Sequence, residues 1–169
     1  MRLFIGISPT DDVRRALVKA QNYLQRHGIT GAYLTPENLH LTLAFIGEYP
    51  EADPVLDAME QVAFTPYDIT YTHLGTFRNS IVWGGIEDSA PLAALVKHLR
   101  YELAKADIPF DNSSFSPHFT LVRHADLSKG IPPVDIEPVT MTADKITLYR
   151  SDRGKSGMIY TEIGYVEAE

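Results

Sequence analysis

Two stretches of the chain, NLHLTLAF (Asn38 to Phe45) and SPHFTLVR (Ser116 to Arg123), carry the same His-apolar-Thr-Leu pattern inside an apolar run. Residues two apart on a strand share a face. His40 and Thr42 therefore point one way, as do His118 and Thr120, while Leu41, Leu43, Phe119 and Leu121 point the other. Each copy closes a longer unit. Leu3 to Ser8 reads as a strand, and Thr10-Asp11-Asp12 supplies N-cap chemistry and negative charge for a helix from Asp11 to Arg26. Val13, Ala16, Leu17, Ala20 and Leu24 fall on one face of that helix, Gly28 can end it in a left-handed cap, and a loop through Pro36 leads to His40.

The second unit repeats the order. Ile81 to Ile86 is a strand, Asp88-Ser89 is a cap, and Leu92, Leu95, Val96, Leu99 and Leu103 have helical spacing. The loop from Phe110 to Pro117 then leads to His118. Phe4 stands 36 residues before His40 and Val82 stands 36 before His118, with the two histidines 78 apart. Between and after the units, PEADPVLDAMEQV reads as a helix, and Asp68 to Thr76 as a strand with Ile69, Tyr71 and His73 on one side. DKITLYR and GMIYTEIGYV read as late strands around a polar turn from Ser151 to Gly157.

This order predicts one α+β domain over residues 1–169, with duplicated units near 3–46 and 81–123. The expected form is bilobed: two antiparallel sheets in a pseudo-twofold arrangement flank a central cleft, with helices outside. The 44% hydrophobic content is enough for a core of that size. Net charge of −7 argues against coating long nucleic acid, though not against binding one nucleotide or one RNA end. The absence of cysteine excludes disulfides, thiolate metal sites and Cys nucleophiles. The opening MRLFIGIS is interrupted by PTDD too soon for a signal peptide or span, so a soluble, cytoplasmic monomer without membrane contact is expected.

Two imidazoles and two hydroxyls facing one cleft suit phosphoryl transfer without a metal or other cofactor. One neutral imidazole takes a proton from the attacking oxygen, and the other, protonated, supplies one to the leaving oxygen. Thr42 and Thr120 can donate to non-bridging phosphate oxygens, and Arg123 can add a forked donor pair. The apolar context of the motifs offers no carboxylate cluster for a metal.

At these residues the chain resembles the 2H phosphoesterase superfamily, named for its two His-x-Thr/Ser motifs. More closely it resembles the RNA 2′,3′-cyclic phosphodiesterases, once described as 2′-5′ RNA ligases. The likeness runs through RLFIGI, PENLHLTLAFIGE, FRNSIVWGGI, FSPHFTLVR and LYRSDRGKSGMIYTEI. The resemblance implies opening of a 2′,3′-cyclic phosphate to a 2′-phosphate. His40 would protonate the departing 3′ oxygen and His118 would activate water, with Thr42, Thr120 and Arg123 on the phosphate. Phe45 matches an aromatic that stacks on the terminal base, and Tyr33 keeps a second aromatic position, while Thr35 stands where the family often has a base. Ligation of 2′-5′ ends would be the reverse reaction. The partners implied are RNA 3′ ends or small cyclic nucleotides; a nucleotide-binding module without catalysis is the competing class.

Phe45 and Arg123 both stand five positions after their histidines. Strand parity puts them on the wrong face, so each needs a strand end, twist or bulge to reach the cleft. Among the other residues, His27 reads as a partner of helix C-terminal carbonyls or of solvent, His98 as surface, His124 as loop, and Trp83 and Phe77 as core. His73 and Arg150 stand open between the cleft and a structural role.

Overall fold

A computed structural model of the chain describes residues 1–78 and 80–169; Asn79, within the FRNSIVWGGI stretch, lies outside them. Its strands are β1 (Arg2–Ile7), β2 (Ala32–Tyr33), β3 (Leu41–Glu48), β4 (Tyr67–Phe77), β5 (Ile81–Ile86), β6 (His118–Arg123), β7 (Val139–Ala143), β8 (Lys145–Gly154) and β9 (Gly157–Glu167). Its helices are α1 (Asp11–Arg26), α2 (Asp53–Glu60) and α3 (Ala90–Lys105), with a single 3-10 turn at Pro36–Asn38. The fold is α+β, built on one strongly curled antiparallel sheet and these three helices.

The two separate sheets expected from the sequence are replaced by one continuous sheet in the order β7-β4-β5-β6-β3-β1-β8-β9. Its middle is held by a single rung, Leu41 opposite Phe119. Beyond that rung β3 leaves β6, and β2 takes over the same edge, with Ala32 opposite Arg123 and Tyr33 opposite Val122. The insertion of β2 makes the sheet splay there, which is why two halves joined by hydrogen bonds still diverge. The helices are exchanged between the halves: α1, from the first unit, packs on β6 and β7, while α3, from the second, packs on β3.

The predicted helical stripes are the buried ones, except that Ala16 of α1 is half-buried. Val13, Leu17, Ala20 and Leu24 of α1 and all five named positions of α3 are buried, so the helices cover the Leu41, Leu43, Phe119 and Leu121 face of the sheet. Burial of each such side chain stabilises the fold by about 1.5–3 kcal/mol. Leu17 reaches so close to Gly84 that a methyl there would meet it at 2.8 Å. Ser89 caps α3 by accepting the Leu92 N–H at 3.2 Å, as expected. Thr10 does not cap α1 through its side chain. Instead Arg14 donates to Pro9 O at 3.0 Å, fixing the entry to the helix. The Ser151–Gly157 turn shrinks because β8 and β9 continue their pairing as far as Gly154 opposite Gly157.

Candidate active site

His40 immediately precedes β3 and His118 opens β6, so the central rung ties together the residues that directly follow the two histidines. Both rings are held in the same way. His40 Nδ1 donates to Asn38 O at 2.7 Å, and His118 Nδ1 donates to Ser116 O at 2.6 Å, in each case two residues back. That tautomer leaves each Nε2 with a lone pair. The Thr42 hydroxyl donates to His40 Nε2 at 2.9 Å.

Two β-bulges bring the fifth residue after each histidine onto the histidine face. On β3, Thr42 lies opposite Gly6 and Ala44 opposite Ile5, leaving Leu43 as the extra residue; Phe45 then pairs with Phe4. On β6, Thr120 lies opposite Trp83 and Val122 opposite Val82, leaving Leu121 as the extra residue. The inserted residue reverses parity. Arg123 consequently shares the face of His118 and Thr120, and Phe45 that of Thr42. Phe45 is 36% exposed, with the Arg2 guanidinium 5.1 Å from its ring centre.

A third bulge corrects the β4 pattern. Tyr71 pairs with Ile86 but His73 with Gly85, so Ile69 and Tyr71 face the helices while His73 turns to the histidine face. Gly85 separates His73 from His118, being opposite both, and a methyl at Gly85 would strike the His73 ring. Phe77 and Trp83, expected in the core, stand on this face too. Phe77 meets His118 edge-on at 5.0 Å, and Trp83 lies 6.1 Å away, its ring packed across Gly75. Around His40 the matching wall is Phe4 at 4.6 Å and Tyr160 edge-on at 5.2 Å, with Tyr149 behind at 6.5 Å.

These walls set the electrostatics. Burial lowers His40 to about 4, against the opposing pull of the Asn38 carbonyl, and positive charge at Arg123 and His118 adds to the fall. His118 is lowered as well, by burial first and then by Arg123. Arg123 thus acts on both imidazoles, so the guanidinium belongs to the same locus. Both shifts favour the neutral imidazole at pH 7. Among the described residues no three His, Asp or Glu side chains gather into a metal-binding group.

Tyr33 is not brought to this locus. Its partner Val122 lies on the helix-covered face, and its hydroxyl donates to Ile29 O at 2.6 Å. A base-stacking role for Tyr33 has no geometric support. Arg150, opposite Leu3, also points away from the histidines and donates to Asp152 at 2.9 Å. His27 Nδ1 meets Tyr23 O at 2.8 Å, His98 lies 3.5 Å from Glu102, and exposed His124 has a φ of 53°. Two contributors escape the sequence patterns. Asn38 holds His40 through its carbonyl and anchors the turn by donating to Met158 O at 2.8 Å. Gln21, buried on the apolar stripe of α1, donates to Leu34 O at 2.8 Å and to the bulge carbonyl of Leu121 at 2.9 Å. A polar residue interrupting that stripe was its visible signal.

The family model described as the 2′-5′ RNA ligase superfamily matches residues 9–155. The chain is 28% identical to the RNA 2′,3′-cyclic phosphodiesterase of Thermotoga maritima, over 95% of this chain and 91% of that one. It is 29% identical to the RNA 2′,3′-cyclic phosphodiesterase of Escherichia coli, over 96% and 93%. The structure of E. coli LigT complexed with 3′-AMP superposes with a TM-score of 0.83 at 26% identity, covering 99% of this chain and 96% of that one. No helix among the described residues is long and apolar enough to cross a membrane.

Proposed function

The chain belongs to the 2′-5′ RNA ligase superfamily, and on that premise we propose that it hydrolyses 2′,3′-cyclic phosphate ends of RNA to 2′-phosphates. The observation that carries this reading is the pairing of Leu41 with Phe119 between two imidazoles whose Nδ1 atoms are each tied to a main-chain carbonyl. Two such rings, each with Nε2 left for chemistry, form an acid–base pair without a metal. The relatives named as RNA 2′,3′-cyclic phosphodiesterases support the substrate class.

In this mechanism water attacks phosphorus while His118 Nε2 takes its proton. The bond to the 3′ oxygen breaks, and His40 Nε2 delivers a proton to that oxygen, leaving a 3′ hydroxyl and a 2′-phosphate. Thr42, Thr120 and Arg123 donate to the non-bridging oxygens, where negative charge is held through the transition state. Phe45 supplies an exposed ring for the terminal base. His40 acquires its proton with the substrate, because the phosphate anion opposes the burial that keeps its ring neutral. The two duplicated units each contribute one imidazole and one hydroxyl, with the fifth residue specialised as a base platform in one and a phosphate clamp in the other.

His40→Ala and His118→Ala test the pair. Each is expected to lower turnover of a cyclic-ended RNA by about 10²–10⁴-fold, the range for one acid–base group. Near-normal turnover in either variant, with folding intact, removes that histidine from the mechanism.

A further inference from the structure

We propose that the outer face of α1 binds the RNA strand that precedes the cyclised end, through its phosphates. The proposal rests on the RNA-end reading above and extends it from the terminal nucleotide to the body of the strand. A groove of about 540 Å³ runs along this face, lined by Arg14, Arg15, Lys19 and Arg26 with Asn22 and Pro36. No carboxylate lines it. In a chain of net charge −7, this is a local reversal of sign.

The cations are arranged as a track. Arg15, Lys19, Asn22 and Arg26 follow one another at helical spacing, spanning about 16 Å at 1.5 Å per residue. Arg15 is engaged by exposed Asp12, whereas Lys19 and Arg26 have no ion pair among the described residues. One end of the track meets the turn that leads into His40. Arg14 donates to Pro36 O, and Pro36 opens the turn whose Asn38 carbonyl holds His40. Thr35 places no cation at this rim; Arg14 does. A single strand leaving the site over this turn enters a groove whose cations stand beside the apolar side chains of Val18 and Pro36. On their other side Lys19 and Arg26 border a second hollow that also holds Asp135 and Glu137. Phosphate contacts with these cations position a nucleic acid without reading its bases.

The test compares the wild-type chain with a Lys19→Gln, Arg26→Gln double variant on two substrates across a salt series. One is a short RNA with a 2′,3′-cyclic end; the other is a 2′,3′-cyclic mononucleotide. Both side chains are exposed, and thermal melting checks that the fold is kept. Mononucleotide turnover is expected to stay unchanged. For the oligonucleotide, kcat/KM falls roughly tenfold at low salt, and its log–log salt slope becomes shallower by about 1.4, from 0.7 per lost phosphate contact. Equal effects on both substrates, or none on the RNA, overturn the groove. Binding of the same RNA, followed by anisotropy, separates the two claims. If the wild type binds RNA through Lys19 and Arg26 yet turns over neither substrate, the groove stands and the chemistry falls. If it does not bind the RNA, the groove falls.

Discussion

Leu41 pairs with Phe119 across the centre of the sheet, and each directly follows one of the two histidines. That single rung brings the two motifs side by side, so the histidine of each borders the strand that carries the other. Both rung residues are fully buried beneath the helices, which fixes the relative position of the rings from the covered side.

The close packing of Trp83 on Gly75 yields a prediction about the His118 wall. A methyl at Gly75 would collide with the indole, a rigid ring that cannot yield by turning its far end. Gly75→Ala is expected to cost about 1–3 kcal/mol and to displace Trp83 and Phe77 against His118. Trp83 is the sole tryptophan, so its fluorescence reports the change directly. An unchanged spectrum and unfolding midpoint would contradict the packing described.

Gln21 supports Arg123 from the covered face by binding the Leu121 carbonyl at the bulge. Gln21→Leu is expected to destabilise the fold by about 1–2 kcal/mol, since the Leu34 and Leu121 carbonyls each lose a donor while Leu121 O keeps the Leu34 N–H. It should also reduce catalysis through Arg123 and not independently of it. In a double-mutant cycle with Arg123→Ala, the two losses in kcat/KM should be less than additive. Full additivity would separate Gln21 from the bulge.

Burial of His40 links stability to pH. Its value in the fold, about 4, lies below the ordinary histidine value of 6.5, so the unfolded chain binds the extra proton first as pH falls. The stability this ring contributes is complete above pH 6.5 and is lost as pH drops towards 4, by about 3 kcal/mol. His40→Gln should flatten the denaturation free energy across that window. An equally steep pH dependence in the variant would assign the effect to other groups.

Kinetic profiles should show the same histidine acting as an acid. In the free protein the protonated fraction of His40 falls about tenfold per pH unit well above its pKa. Hence kcat/KM should decline with rising pH through neutrality. A bound phosphate anion raises His40, so the alkaline limb of kcat should lie at higher pH than that of kcat/KM. Coincident limbs, or a kcat/KM that rises through pH 8, would contradict His40 as the proton donor.

Much of this was legible in the residues themselves. The strand–helix–His-x-Thr repeat identified β1, α1, β3, β5, α3 and β6, and the buried stripes of both helices followed from 3.6-residue spacing. The parity conflict at Phe45 and Arg123 called for bulges, and bulges occur at Leu43 and Leu121. What could not be read were relationships between distant residues. Nothing local in Ala32-Tyr33 announces a strand that forces β3 from β6, so one splayed sheet read as two. The bulge at Thr72 turned His73, whose place stood open, to the histidine face, and glycine at 75 let Trp83 lie flat on the sheet, so that Trp83 and Phe77, expected in the core, form a wall beside His118.

The most direct test of the acid–base account is hydrolysis of a short RNA ending in a 2′,3′-cyclic phosphate, in EDTA, with the product isomers resolved. A 2′-phosphate formed at full rate, and lost in His40→Ala and His118→Ala, is the predicted result. Loss of turnover on chelation would contradict the metal-free pair, and a 3′-phosphate product would contradict the assignment of His40 to the 3′ oxygen.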